Sequence, residues 1–310
     1  MQKFWSVLFG ATMLGALLLF IVAPFVGWWL PKDVSTFGGG IDALYYLILA
    51  ITGFFFILTE AILVIALWRF AGQAGRKSKY QHGNHTLEVV WTVVPGVVLL
   101  VLAVVQINVW AQVKFRKNMP APDAVTQQME VTARQWEWRV RYPSSARMQA
   151  WEKNPQLAQD FGSSPHEDDL HMVNEIHVWK GTPDKDAKVL VHLKTQDVIH
   201  SFFLPNARLK QDALPGKTIP VWFAVTEHNS ELDPNLKRWV EIGGYEKGKP
   251  KRPDMIWELA CAEFCGTRHS MMRGKLYVHK DKADFLTWLK QAEAEQNSHQ
   301  AAPQTPVASR

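Results

Sequence analysis

Two thiols, an imidazole and a thioether fall within twelve residues of this 310-residue chain, in Cys261-Ala-Glu-Phe-Cys265-Gly-Thr-Arg-His269-Ser-Met-Met272. Soft thiolate and thioether sulfur with imidazole suit copper better than calcium or magnesium. On one helix Cys261 and His269 would stand about 12 Å apart along the axis, whereas metal–ligand bonds are only about 2.0–2.3 Å. Gly266 also argues against a continuous helix. The segment must therefore wrap as a loop, and a loop between two strands is its natural place. A blue-copper site uses one Cys, two His and a weak Met. Two thiolates can instead bridge two coppers, each needing a histidine of its own. His269 supplies one. The best candidate for the other is His200, in Asp197-Val-Ile-His-Ser-Phe-Phe-Leu-Pro205 at the end of a strand-like run. Two plainer readings stay open: a local Cys261–Cys265 disulfide, and a zinc site of Cys261, Cys265, His269 and His200 that leaves Met272 unused. The other histidines, His177 and His279 among them, show no ligand spacing with the cysteines and read as surface or packing residues.

The elements that must hold these residues divide by charge. There are 34 basic and 29 acidic residues, and only ten of them lie in residues 1–110. Residues 4–31 and 89–113 carry no charge, and 43–68 carry only Glu60. Each run exceeds the ~20 residues that cross a bilayer core. The first reads as a retained helix or a cleaved signal, although its apolar stretch is longer than the ~7–15 residues of a signal and no clear A-x-A site follows. Arg69, Arg76, Lys77 and Lys79 precede the first acid of their loop, Glu88. Short basic loops stay in the cytoplasm, which places loop 69–88 inside and everything after about 113 outside. The chain thus divides into an extra transmembrane helix or signal (1–31), a transmembrane hairpin (42–113), an external domain (114–280) and a C-terminal piece (281–310).

Within the external domain, Trp136, Trp138, Val140 and Tyr142 alternate with Gln135, Glu137, Arg139 and Arg141, the period of a strand. Ile176 and Val178, Val189 to Leu193, Thr218 to Val225 and Lys275 to His279 read the same way, so an all-β sandwich or barrel is expected. Residues 144–174, polar and without clear period, and 227–254, rich in charge, Gly and Pro, read as insertions. Residues 281–290 suit a short helix, and the tail after Glu295 a disordered one. Two cysteines exclude a disulfide scaffold and a four-cysteine iron–sulfur cluster, and the absence of C-x-x-C-H excludes an attached c-type haem. The net charge of +5 excludes an extreme polyanion binder, so nucleic acid is not an expected partner.

The twelve-residue segment resembles the CuA motif, C-x-E-x-C-x-x-x-H-x-x-M, of cytochrome c oxidase subunit II. Glu88-Val-Val-Trp-Thr-Val-Val-Pro, Arg134-Gln-Trp-Glu-Trp138 and the run from Asp197 to Gly216 resemble three further segments of that family, in the same order. The resemblance implies transmembrane helices followed by a cupredoxin-like β-barrel. It implies that His200, Cys261, Cys265, His269 and Met272 bind two coppers by their side chains and Glu263 by its backbone carbonyl. The Glu263 carboxylate would help hold a magnesium ion shared with the catalytic subunit. Trp136 would accept electrons from cytochrome c, Asp197 would lie at the docking surface, and Glu88 at the inner mouth of a proton path. Two of these also have a plainer role: Trp136 as sandwich packing and Glu88 as a helix-start acid. Glu60, an intramembrane acid, is assigned no site role. The implied partners are subunit I, which carries haem and CuB, subunit III, cytochrome c and membrane lipid. The implied setting is a bacterial inner membrane with the CuA domain outside. The same centre also suits a nitric oxide reductase subunit, and a membrane-tethered copper chaperone is a rival from another class. The external part holds 28 basic and 25 acidic residues. An acidic face is expected for a basic donor, so the donor is less basic or docks on a local patch.

Overall fold

In a computed structural model the chain forms two compact units, residues 1–30 with 40–110, and residues 31–39 with 111–310. The structure describes residues 2–70, 72, 75, 77, 80, 82–123, 127–182 and 185–301. Loop charges Arg76 and Lys79 and the end of the tail lie outside the described residues.

The first unit is helical. Helix α1 (Gln2–Val22) passes into a 3-10 turn over Ala23–Val26 and stops there, short of residue 31. Pro24 lacks the N–H that would continue the ladder, and Gly27 turns the chain away at φ 78. Helix α2 spans Gly38–Arg69 and α3 spans His85–Lys114, each starting four residues before its sequence-read hairpin or apolar run. Asn84 caps α3 by accepting the Leu87 N–H at 3.2 Å, which puts Glu88 in the first turn. All three are long and apolar enough to span a bilayer. Large apolar side chains such as Phe54, Ile65, Leu99 and Val101 stand exposed along them, as suits helices whose solvent is hydrocarbon.

The second unit is a two-sheet sandwich. In chain order its strands are β1 (Gln127–Arg134), β2 (Glu137–Tyr142), β3 (Leu170–Val173), β4 (Glu175–Trp179), β5 (Lys188–Thr195), β6 (His200–Leu204), β7 (Leu209–Ala213) and β8 (Ile219–Ala224). Two short hairpins follow, β9 (Ser230–Asp233) with β10 (Arg238–Glu241) and β11 (Tyr245–Glu246) with β12 (Lys249–Pro250). The last strands are β13 (Glu258–Cys261) and β14 (Arg273–His279). One sheet has the order β3-β2-β1-β5-β8 and the other β4-β14-β13-β6-β7. The pairs β1–β5 and β14–β4 are parallel and the rest antiparallel. Trp138, Val140 and Tyr142 of β2 are buried with Val189, Val191, Leu193, Phe202, Leu204, Ile176 and Val178 to form the core.

Four sequence readings change. Gln135 and Trp136 are the turn between β1 and β2, not part of a strand, and His200 opens β6 where it was read as ending a run. The segment 144–174 holds a nine-residue helix α4 (Ser145–Lys153) and β3. This helix is too short for its period to show, and it is fixed by the Ser144 cap and a small core of Trp151, Ala158 and Phe161. The C-terminal helix α5 runs over Lys282–Ala301, twice the expected length. Phe285, Trp288, Leu289 and Ala292 bury its apolar face. Its polar end holds because the Glu293 carboxylate accepts the Ser145 N–H at 2.5 Å and Gln296 bonds the His171 N–H and the Asp169 carbonyl.

Candidate metal centre

The site is built where β6, β13 and β14 lie side by side. Cys261 ends β13 opposite Phe202 of β6, and the Ala262 N–H donates to the Ser201 carbonyl at 3.0 Å. The chain therefore leaves β13 directly beside His200. It returns through a 3-10 turn at His269–Met271 to β14, and the Cys261 N–H closes the loop on the Met272 carbonyl at 3.2 Å. Gly266 turns this loop at φ 118; a Cβ there would also stand 3.1 Å from Gln135 Nε2 and 3.3 Å from the Trp136 ring. The positive φ favours glycine, and a larger residue would also press on Gln135 and Trp136.

Strand pairing and loop closure bring together side chains that the sequence separates. Cys261 Sγ stands 3.8 Å from His200 Nδ1 and 3.2 Å from the Glu263 carbonyl. Cys265 Sγ stands 3.6 Å from His269 Nδ1 and 3.9 Å from Met272 Sδ, and the two sulfurs are 3.8 Å apart. Two ligands bound tetrahedrally at about 2.2 Å stand roughly 3.6 Å apart, so these separations fit shared metal ions. Both cysteines are free, so the local disulfide is not formed. The ligand atoms of His200, Cys261 and Cys265, one from each, lie within 4.8 Å of one another. His269 reaches the second sulfur, which divides the imidazoles between the thiols as a two-metal centre requires. His200, Cys265 and Met272 are buried, while Phe264 and Met271 of the same loop are exposed.

The electrostatics favour cations. Burial pushes the Cys261 thiol up, but its hydrogen bonds with His200 and with the Ser201 and Glu263 backbone outweigh that and bring it below the ordinary thiol range. Burial and then the neighbouring Cys261 charge push Cys265 up. Burial lowers His200, yet the bonds to Cys261 and Asp197 raise it on balance.

Asp197 lies against the ligand it precedes. Its Oδ1 is 2.8 Å from His200 Nε2, and its Oδ2 accepts the Gln135 N–H at 2.7 Å. These bonds outweigh desolvation and hold the carboxyl below its usual range. Gln135 was not singled out by spacing. Its Nε2 donates to the Cys265 carbonyl at 2.8 Å, so one residue ties the β1–β2 turn to both His200 and the cysteine loop. The only sequence hint was its place beside Trp136. The Trp136 ring lies against Gly266 and under the Arg268 guanidinium, 6.0 Å from the ring centre. The core-packing role falls to Trp138 instead, whose ring is 6.2 Å from that of His200. Glu137 does not leave a free charge beside Trp136: Arg139 and Arg134 bond its carboxylate at 2.8 and 2.7 Å and hold it ionised. Glu60 and Glu88 belong to the helical unit.

Two family models match the sequence: the cytochrome c oxidase subunit II transmembrane domain over residues 25–109 and the periplasmic domain of the same subunit over 128–230. The second match stops where the 227–254 insertion begins, so the cysteine loop rests on its own geometry. The chain is 28% identical over 288 residues to the alternative cytochrome c oxidase subunit 2 of Bradyrhizobium diazoefficiens, covering 90% of this chain and 88% of that one. It is 25% identical to cytochrome c oxidase subunit 2 of Thermostichus vulcanus, covering 88% and 84%. With that of Cereibacter sphaeroides it shares 24% identity, covering 79% and 73%.

Proposed function

The chain belongs to the family of cytochrome c oxidase subunit II, a subunit of the haem-copper oxidases. On that premise we propose that it is the electron-accepting subunit of such an oxidase, taking electrons from a cytochrome c and delivering them to haem in the catalytic subunit, where oxygen is reduced and protons are translocated. The observation that carries this reading is the pairing of His200 with Cys261 and His269 with Cys265 around two unlinked sulfurs. When bound, a two-copper centre supplies a one-electron store spread over both ions.

The residues of the chain hold that centre and set its surroundings. Cys261, Cys265, His200, His269 and Met272 would hold the coppers by their side chains, and Glu263 by its backbone carbonyl, whose oxygen lies 3.2 Å from Cys261 Sγ. Asp197 acts first as a positioning group: it fixes which nitrogen of His200 faces the sulfurs and makes the ring a better donor. Trp136 faces the electron donor, next to the Cys265–His269 loop that it touches. The Glu263 carboxylate is exposed and would help hold a magnesium ion shared with the catalytic subunit. Glu88 opens the proton path on the inner side. Subunits I and III complete the complex in a bacterial inner membrane, with the sandwich on the outer face.

The deciding experiment is the electron paramagnetic resonance spectrum and copper-to-protein ratio of the copper-loaded chain. Two coppers per chain sharing one electron over both nuclei is the expected result. One copper with an ordinary mononuclear signal would end the reading.

A further inference from the structure

Helix α1 lies wholly before the stretch that matches the family's transmembrane model, which starts at residue 25. Its place in the helical unit therefore rests on its own contacts. It meets α2 through small residues. Ser6, only 2% exposed, donates its hydroxyl to the Val64 carbonyl at 2.9 Å, and a Cβ on Gly10 would stand 3.7 Å from Val64 Cγ1. Small residues let membrane helices approach closely without a hydrophobic drive between them. Toward the start of α1 and the end of α2 the seam opens into a cavity of about 490 Å³, lined by Lys3, Ser6, Val64, Ile65, Trp68 and Arg69.

The cavity is one-sided in charge. Two cations line it and no carboxylate does. Lys3 Nζ stands 5.0 Å over the Trp68 ring, a contact that leaves its hydrogen-bonding capacity free. Among the described residues neither Lys3 nor Arg69 has an acidic partner. The remaining wall is apolar: Val64 and Ile65 belong to the α2 span, and Ile65 is 60% exposed. Trp, Lys and Arg are the residues that mark a membrane–water boundary. An occupant must therefore be anionic at one end, with at least two acceptor oxygens, and apolar at the other.

We propose that this cavity binds the phosphodiester headgroup of an anionic phospholipid. Lys3 and Arg69 hold its phosphate oxygens, Trp68 sits at headgroup depth, and an acyl chain lies along Val64 and Ile65. A guanidinium fork matches two phosphate oxygens and an ammonium adds a compact charge. The site rests on two parts of the foregoing reading: that α1 is retained, and that the basic 69–88 loop lies inside, where anionic lipid attracts Lys and Arg. The lipid then bridges the ends of α1 and α2, which no ion pair among the described residues joins.

The test is native mass spectrometry of the full chain in detergent. The chain is titrated with phosphatidylglycerol, with phosphatidylcholine of the same acyl chains, and with water-soluble glycerol 3-phosphate. One phosphatidylglycerol should bind about tenfold or more tightly than phosphatidylcholine, and glycerol 3-phosphate should not bind. The double variant K3Q/R69Q should lose that preference, and K77Q should keep it. Equal binding of the two lipids, binding of glycerol 3-phosphate as strong as that of the lipid, or an unchanged preference in K3Q/R69Q would overturn the proposal. The intact mass separates the remaining outcome. A mature chain without α1 removes the site, while the copper-centre reading stands.

Discussion

Strand β14 connects two buried histidine clusters of opposite character. It begins beside Met272 of the candidate metal centre and ends at His279, about 20 Å further along at strand rise. At the first end His200 faces a thiol and a carboxylate, and its partners hold its pKa up. At the other end His177 is stacked on Trp288 at 3.9 Å between ring centres and on Tyr277 at 4.6 Å, and its Nδ1 is 3.1 Å from His279 Nε2. Burial pushes His177 down and His279 down to about 2. The carboxylates facing that pair, Glu175 at 3.8 Å and Asp284 at 3.6 Å, do not offset their desolvation. The same side chain thus faces a thiol and a carboxylate in one place and packs among aromatic rings in the other. The difference lies in whether charge-bearing ligands or aromatic faces surround the ring.

The largest expected effect separates the clusters by chemistry. Cys261→Ser should abolish the shared-valence signal completely, since one thiolate cannot bridge as two do; a surviving signal would end the bridging model. Trp288→Ala should do the reverse. It removes the ring stacked on His177 and should cost about 3–5 kcal/mol in unfolding free energy, with copper content and spectrum intact. A spectral change in that variant would mean that the clusters are coupled along β14.

Smaller effects sharpen each side. Asp197→Asn should weaken copper binding by about 10–100-fold in chelator competition, and unchanged affinity would mean that β6 alone orients His200. The last prediction concerns pH. His177, His279 and His192, which burial lowers to about 4, are neutral when folded. The unfolded chain takes up protons that the folded chain refuses, so stability is full above about pH 6.5 and falls as pH drops below it. Melting of the chain should come roughly 5 °C lower at pH 5 than at pH 7, and His279→Phe should shrink that difference. An equally steep fall in the variant would assign it to other groups.

The side chains that meet at the candidate centre were legible because four of them lie within twelve residues and the chemistry of sulfur and imidazole is narrow. The membrane helices were legible because charge is almost absent from three long runs. The length of α5 was not, since its second half is polar and is held by Glu293 and Gln296 bonding residues more than a hundred positions away. The role of Gln135 was hidden for the same reason, because an amide with no special spacing shows its use only when two loops meet.

From the sequence alone follow the residue types available for copper, the three apolar spans and the strand period of the sandwich core, all set by local composition and spacing. Tertiary structure decided which histidine meets which thiol, that Trp136 touches the cysteine loop while Trp138 fills the core, and that Asp197 holds His200. These are distances between segments far apart in the chain. They depend on strand register, which shifts every neighbour when it moves by one residue.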